Sequence, residues 1–188
     1  MLLWKNIIPG PNPPKIVYAI IECPKGARNK YELSKQANII ILDRVLHSSV
    51  IYPHDYGLIP GTLAEDNDPL DILVLTSNPT VPLTIIPTHP IGVLIMEDEK
   101  GRDEKILGCN ENDPVFRDYK DIVQLPTHIL DEIKEFFRTY KHLENEAYSS
   151  PKEWKGREAA YLLIKDSIKR FKEKYTDIER IDPLLEEI

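Results

Sequence analysis

From Lys15 to about Cys109 the apolar residues fall in short runs separated by turn formers: KIVYAIIE, NIIILD, VIYP, LDILVL, LTII and IGVLIME. Each run is rich in Ile and Val and bounded by Pro, Gly, Asn or Asp, the pattern of strands. With no long helical period between them, they predict an antiparallel sheet or small barrel and not a doubly wound parallel fold. After Pro126 the period changes. Over residues 127–143, Ile129, Leu130, Ile133, Phe136, Phe137 and Tyr140 recur at helical spacing, with Asp131, Glu132, Lys134 and Glu135 mostly opposite. A second helical pattern, from Arg157 to about Tyr175, sets Leu163, Ile164, Ile168 and Phe171 on one face. The expected architecture is mainly β with flanking helices (α+β), a barrel-like body with two C-terminal helices packed on it. The chain reads as a single domain over 1–188, with a core of about 11–175 and an acidic surface tail, broken by Pro183, over 176–188.

Composition sharpens this picture. A chain of 188 residues can bury roughly two thirds of its unfolded surface, so it needs no staples. Sixteen prolines exceed the usual share of about 5% and favour short elements joined by rigid loops. The net charge of −7, without a basic stripe, argues against binding nucleic acid by phosphate neutralisation. No segment approaches the ~18 consecutive apolar residues of a membrane span, and MLLWKNIIPGPNPP has no signal-peptide pattern. Two cysteines, Cys23 and Cys109, exclude a disulfide framework though not a single bridge; a reduced, cytoplasmic chain with inert, buried thiols is expected.

The chemistry concentrates in Asp66-Asn67-Asp68-Pro69-Leu70-Asp71-Ile72, where three carboxylates occupy six positions before an apolar strand. In an extended chain Asp66 and Asp68 would share a face, and Asp71 could swing back towards them past Pro69. Two like charges ~4 Å apart repel by about 4 kcal/mol at an effective dielectric of ~20, so convergence needs a proton or a cation. Hard oxygen donors suit Mg²⁺, Mn²⁺ or Ca²⁺; Leu70 and Asp71 stand where a calcium-binding EF-hand loop needs an oxygen ligand and a glycine. A second acidic stretch, Glu97 to Lys105, turns at Gly101 and reads as a hairpin tip with Asp98 and Asp103 flanking it. Lys30-Tyr31-Glu32, Arg44, the aromatic turn Tyr52–Gly57 and Tyr140-Lys141 supply donors for an anion opposite the acidic groups. Cations beside metal-binding carboxylates are what phosphoryl transfer requires. By residue chemistry alone the readings are a metal-dependent hydrolase of phosphate compounds, organic phosphates among them, and a non-catalytic module for single-stranded nucleic acid. The acidic strand ends and net charge weigh against the last.

These residues, in this order, resemble the family I soluble inorganic pyrophosphatases. The heptad matches the family's D-x-D-P-x-D signature. Around it stand Glu22, Lys30-Tyr31-Glu32, Asp43-Arg44, Tyr52-Pro53-x-x-Tyr56-Gly57, Pro90–Leu94, Asp98, Asp103 with Lys105, and Tyr140-Lys141. The likeness runs from about Pro11 to Ala160; Asn67 replaces a glycine common in the family. The resemblance implies a five-stranded, OB-like barrel and hydrolysis of pyrophosphate to two orthophosphates, without a covalent intermediate. It implies several Mg²⁺ ions, with Mn²⁺ a substitute. Asp66, Asp71 and Asp103 would hold metals bound before substrate. Asp98, with Asp103, would bind metal arriving with pyrophosphate, and Glu22 would add a further ligand. Asp68 would take the proton of the attacking water, and Lys30, Arg44, Tyr56, Lys105, Tyr140 and Lys141 would hold phosphate oxygens. A cytoplasmic homohexamer, with neither nucleic acid nor membrane as partner, is the matching expectation.

Overall fold

The computed structural model describes residues 2–99, 101–144 and 149–184. In chain order, a short helix α1 (Leu3–Asn6) precedes β1 (Val17–Cys23), β2 (Asn29–Leu33), β3 (Ile40–Val45), β4 (Asp55–Leu58), β5 (Asp71–Leu75), β6 (Ile85–Asp98) and β7 (Gly101–Asn110). A 3-10 turn (Ile122–Gln124) leads to helix α2 (Thr127–Thr139), then β8 (Ser149–Gly156) and helix α3 (Arg157–Lys174). β1 pairs antiparallel with β4, β4 antiparallel with β5, β5 parallel with β7, β7 antiparallel with β6, and β6 antiparallel back onto β1. These five strands form a closed ring. β8 adds to the outer half of β6, and β2–β3 form a separate hairpin.

Every residue of β1 is buried, which explains its unbroken apolar run. Opposite faces of β5 feed different clusters. Leu73 and Leu75 join Leu107, Cys109 and the α2 residues Ile133, Phe136 and Phe137, while Ile72 and Val74 join Ile106 with Ala160 and Ile164 of α3. The face of α2 expected from spacing is the buried one. The helix stops at Thr139, not Leu143, and Tyr140 caps it.

Several strands differ from the pattern read in the sequence. The end of LTII (Ile85 and Ile86) and the whole of IGVLIME belong to one 14-residue strand, β6. Proline is tolerated there because β6 changes partners along its length and its register with β7 shifts between Pro90 and Gly92. The run VIYP is no strand: Tyr52 exchanges backbone hydrogen bonds with the 26–27 turn (2.8 and 2.9 Å) and its ring lies 4.9 Å from that of Phe136. β8 carries no apolar signature because none of its residues is buried, three of the eight being exposed, and only its pairing with β6 makes it extended. The acidic surface tail, as far as it is described (Thr176 to Leu184), is bound to the other end of the chain. Ile181 bridges Ile7, its amide donates to the carbonyl of Asn6 at 2.7 Å, and the Tyr18 hydroxyl donates to Asp182 at 2.6 Å. The thiols of Cys23 and Cys109 are free and buried, and burial pushes both up to about 12.

Candidate active site

Strand register brings the ionisable residues together. In the parallel pair β5–β7, Asp71 stands beside Lys105, and Asp103 lies two residues before Lys105 on the same face. The Lys105 ammonium, almost wholly buried, binds the carboxylates of both. In β4, Leu58 pairs with Asp71, so Tyr56 two residues earlier shares that face. Between β1 and β4 the register slips so that Glu22 and Cys23 together oppose Tyr56. This bulge turns the Glu22 carboxylate inward, where it accepts the Leu33 amide at 2.6 Å. Gly57 permits the close approach of the two strands: a Cβ there would lie 1.9 Å from the Ile20 carbonyl oxygen.

The β2–β3 hairpin forms another wall. Lys30 and Arg44 are cross-strand partners, and a register shift leaves Asp43 as the extra residue between Leu42 and Arg44. Asp43 bonds both cations, Lys30 at 3.0 Å. Arg44 also donates to Glu144 at 2.8 Å. Lys141, just past the end of α2, reaches Asp98 at 3.3 Å and Glu99 at 2.9 Å. The negative end of the helix favours a cation there. Asp98 and Asp103 do not pair directly: Asp98 opposes Gly101 and Met96 opposes Asp103, so the two aspartates are diagonal neighbours on one face.

The segment carrying Asp66 and Asp68 is a tight turn and not the extended chain its spacing suggested. Asp66 accepts the Asp68 amide at 3.0 Å, and Ala64 donates to the Asp68 carbonyl at 2.7 Å. Asn67 sits at φ 70°, in the left-handed region where glycine is most at home and asparagine is among the best-tolerated alternatives. That accounts for Asn67 at a position where glycine is common in the resembled family. The turn is braced by α3: Arg170 donates to the Leu63 carbonyl at 2.9 Å, Lys174 to Asn67 Oδ1 at 2.9 Å, and Leu63 to the Ser167 carbonyl at 3.0 Å.

All twelve residues singled out in the sequence line one cleft of about 400 Å³: Glu22, Lys30, Arg44, Tyr56, Asp66, Asp68, Asp71, Asp98, Asp103, Lys105, Tyr140 and Lys141. Lys35, Glu99 and Glu144 line it too and were not singled out. Glu144 stands three residues beyond Lys141 and Lys35 five beyond Lys30, spacings that keep them near residues already chosen. In all, ten carboxylates face five lysine or arginine cations around the cleft. Electrostatics follows from this crowding. Burial pushes the Glu22 carboxyl up to about 8, with Asp71 and Glu32 adding to the effect against the Leu33 amide and Lys30. Asp103 is raised by burial, with Asp71 and Asp98 adding to it and Lys105 opposing. Burial alone would lower Lys105, but Asp71 and Asp103 outweigh it and hold its proton more firmly than usual. Lys30 behaves alike: burial is overcome by hydrogen bonds to Glu32 and Asp43.

As placed, no three His, Cys, Asp or Glu side chains among the described residues are arranged to hold one ion, since Lys105 occupies the space between Asp71 and Asp103. The donor set is nonetheless all hard oxygen and rich in excess negative charge, and it fits divalent cations of the Mg²⁺ class. Asp66, Asp71, Asp98, Asp103 and Glu22 are the carboxylates that could hold them.

Comparison with known proteins gives the same direction. The family model described as Inorganic pyrophosphatase matches residues 19–172. An inorganic pyrophosphatase of Methanosarcina acetivorans is 48% identical over 82% of this chain and 92% of that protein. Soluble inorganic pyrophosphatase 2 of Chlamydomonas reinhardtii is 43% identical over 92% of this chain and 89% of its own length. Among solved structures, the inorganic pyrophosphatase from Thermus thermophilus superposes with a TM-score of 0.88 at 41% identity, covering 90% of this chain and 99% of that one.

Proposed function

The chain belongs to the inorganic pyrophosphatase family, a family of metal-dependent hydrolases, and on that premise we propose that this cleft hydrolyses pyrophosphate to two orthophosphates with Mg²⁺ as its ion. The observation that carries the reading is the charge of the lining. Ten carboxylates around one small cleft would repel a polyanion, yet Lys30, Arg44 and Lys141 stand there to bind one. The two facts are compatible when divalent cations are resident. When bound, Mg²⁺ would offset the carboxylates, neutralise phosphate oxygens and make water more acidic.

The chain's own groups then divide the work. Asp66, Asp71 and Asp103, with Asp98 and Glu22, are the proposed metal ligands. Asp68, exposed at the cleft and free of the Lys105 cluster, is the proposed base that takes the proton of the attacking water. The Lys30–Arg44 pair on the hairpin and Lys141 just past α2 hold phosphate oxygens, helped by Tyr56, Tyr140 and Lys105. Lys141 and Arg44 carry charges firmly retained against burial, as a leaving phosphate requires. Among the described residues lining the cleft there is no serine, cysteine or histidine, which favours direct attack by water over a covalent intermediate on such a side chain. A homohexamer is the assembly this reading carries with it, and sedimentation velocity tests it.

The deciding experiment measures phosphate release from pyrophosphate, ATP and p-nitrophenyl phosphate with Mg²⁺ and with EDTA. Turnover of pyrophosphate alone, abolished by EDTA, is expected. Comparable hydrolysis of ATP or of the monoester would replace the reading with a broader phosphohydrolase.

A further inference from the structure

Asp68 is carried on a surface turn, and its side chain is 45% exposed. A carboxylate so placed has several rotamers open to it, and a general base must be held within hydrogen-bond reach of the proton it takes. Among the described residues one charged partner meets it: Lys35, whose ammonium binds Asp68 Oδ1 and whose side chain is itself 40% exposed. Ion pairs this exposed contribute little to stability, so support of the fold does not explain the contact.

The backbone beneath Lys35 is unusually well anchored for a hairpin loop. Ser34 donates to the Ile39 carbonyl at 2.8 Å and accepts Asn38 at 3.0 Å, closing the loop on itself. Asn38 stands at φ 61° and its Oδ1 accepts the Leu3 amide at 2.8 Å. The indole nitrogen of Trp4 donates to the Lys35 carbonyl at 3.2 Å, and Trp4 is 4% exposed, wedged edge-on against Phe171 and Tyr175. The main chain at Lys35 is thus tied, through α1, to the core under α3.

We infer that Lys35 is a positioning residue of the reaction: it fixes the Asp68 carboxylate in one orientation, and α1, through Trp4, fixes Lys35. This rests on the reading of Asp68 as the base. It also gives the first residues of the chain, which carry no site residue of their own, a part in turnover. Lys35 differs in this from Lys30, Arg44 and Lys141, none of which bonds Asp68.

The test is a double-mutant cycle on the full chain with Mg²⁺ and pyrophosphate, using Lys35→Met, Lys35→Arg, Asp68→Asn and Lys35→Met/Asp68→Asn. Lys35→Met is expected to lower kcat about tenfold. KM for pyrophosphate and Mn²⁺ affinity, measured calorimetrically without pyrophosphate, should stay within about twofold of the parent, and Lys35→Arg should recover most of the loss. In the Asp68→Asn background Lys35→Met should cost nothing further, because there is no base left to position. The inference is overturned by a parental kcat in Lys35→Met beside a crippled Asp68→Asn. It is overturned equally by the same factor lost in both backgrounds, or by a raised KM at unchanged kcat, which would make Lys35 a phosphate-binding cation. Full turnover in Asp68→Asn alone would instead remove the base, and Lys35's role with it.

Discussion

Asp68, Asn67 and His54 show what single side chains contribute. Asp68→Asn keeps the volume and the turn but removes the proton acceptor, so kcat is expected to fall by about 10²–10⁴-fold with Mn²⁺ binding in calorimetry largely kept. Full turnover would end the assignment of the base. Asn67 tests the turn by its backbone alone: Asn67→Gly should be close to neutral, whereas Asn67→Val forces a β-branched residue to φ 70° and should cost about 1–2 kcal/mol in urea unfolding. His54 lies away from the cleft, 5% exposed, edge-on to Phe116, with its Nδ1 unbonded. Burial, with Lys25 adding to it, pushes its imidazole down to about 4. The unfolded chain therefore takes a proton below pH ~6.5 that the folded chain refuses until about pH 4. The stability is whole above pH ~6.5 and drains away as pH falls towards 4. Between pH 7 and 4.5 the wild type should lose about 2–3 kcal/mol more than His54→Leu, read from urea midpoints at the two pH values. Equal losses would show that His54 is protonated in the fold.

Among the elements, the ones that carry the site are those whose irregularities the sequence hides. Asp66, Asp68 and Asp71 were legible because they are neighbours in a short segment, and α2 was legible because its period is local. Glu22 was recognisable only by resemblance; its inward aim comes from a slip between β1 and β4, strands some thirty residues apart, and no local pattern encodes that. Lys35 was missed because its neighbours mark it only as part of a polar turn. What places it is Asp68, 33 positions away, together with Trp4. Gly57 is the element-scale test. Gly57→Ala puts a methyl against the Ile20 carbonyl and must push β1 from β4, at a cost of about 1–3 kcal/mol or more. Because Glu22 and Tyr56 stand on either side of that contact, activity should fall as well; an unchanged melting temperature and rate would show that the strands can part without disturbing the site.

For the whole molecule, the strands were legible in the pattern, whereas closure into a five-stranded barrel was expected only through the resemblance. Short Ile- and Val-rich runs announced the strands, but the ring is sealed by β6 returning to β1 across nearly seventy residues. The polar β8 and the binding of Ile181 against Ile7 likewise depend on partners far away along the chain. The hydrogen bonds from Arg170 and Lys174 to the turn bearing the aspartates give α3 a second duty besides covering the barrel. Helix ends fray at lower free energy than a core unfolds. Warming should therefore loosen the last turns of α3, release the 63–68 segment and silence the enzyme while the barrel is still intact. A reversible fall in rate several degrees below the calorimetric midpoint, brought lower still by Arg170→Ala, would be the mark of an enzyme whose working temperature is capped by one helix end.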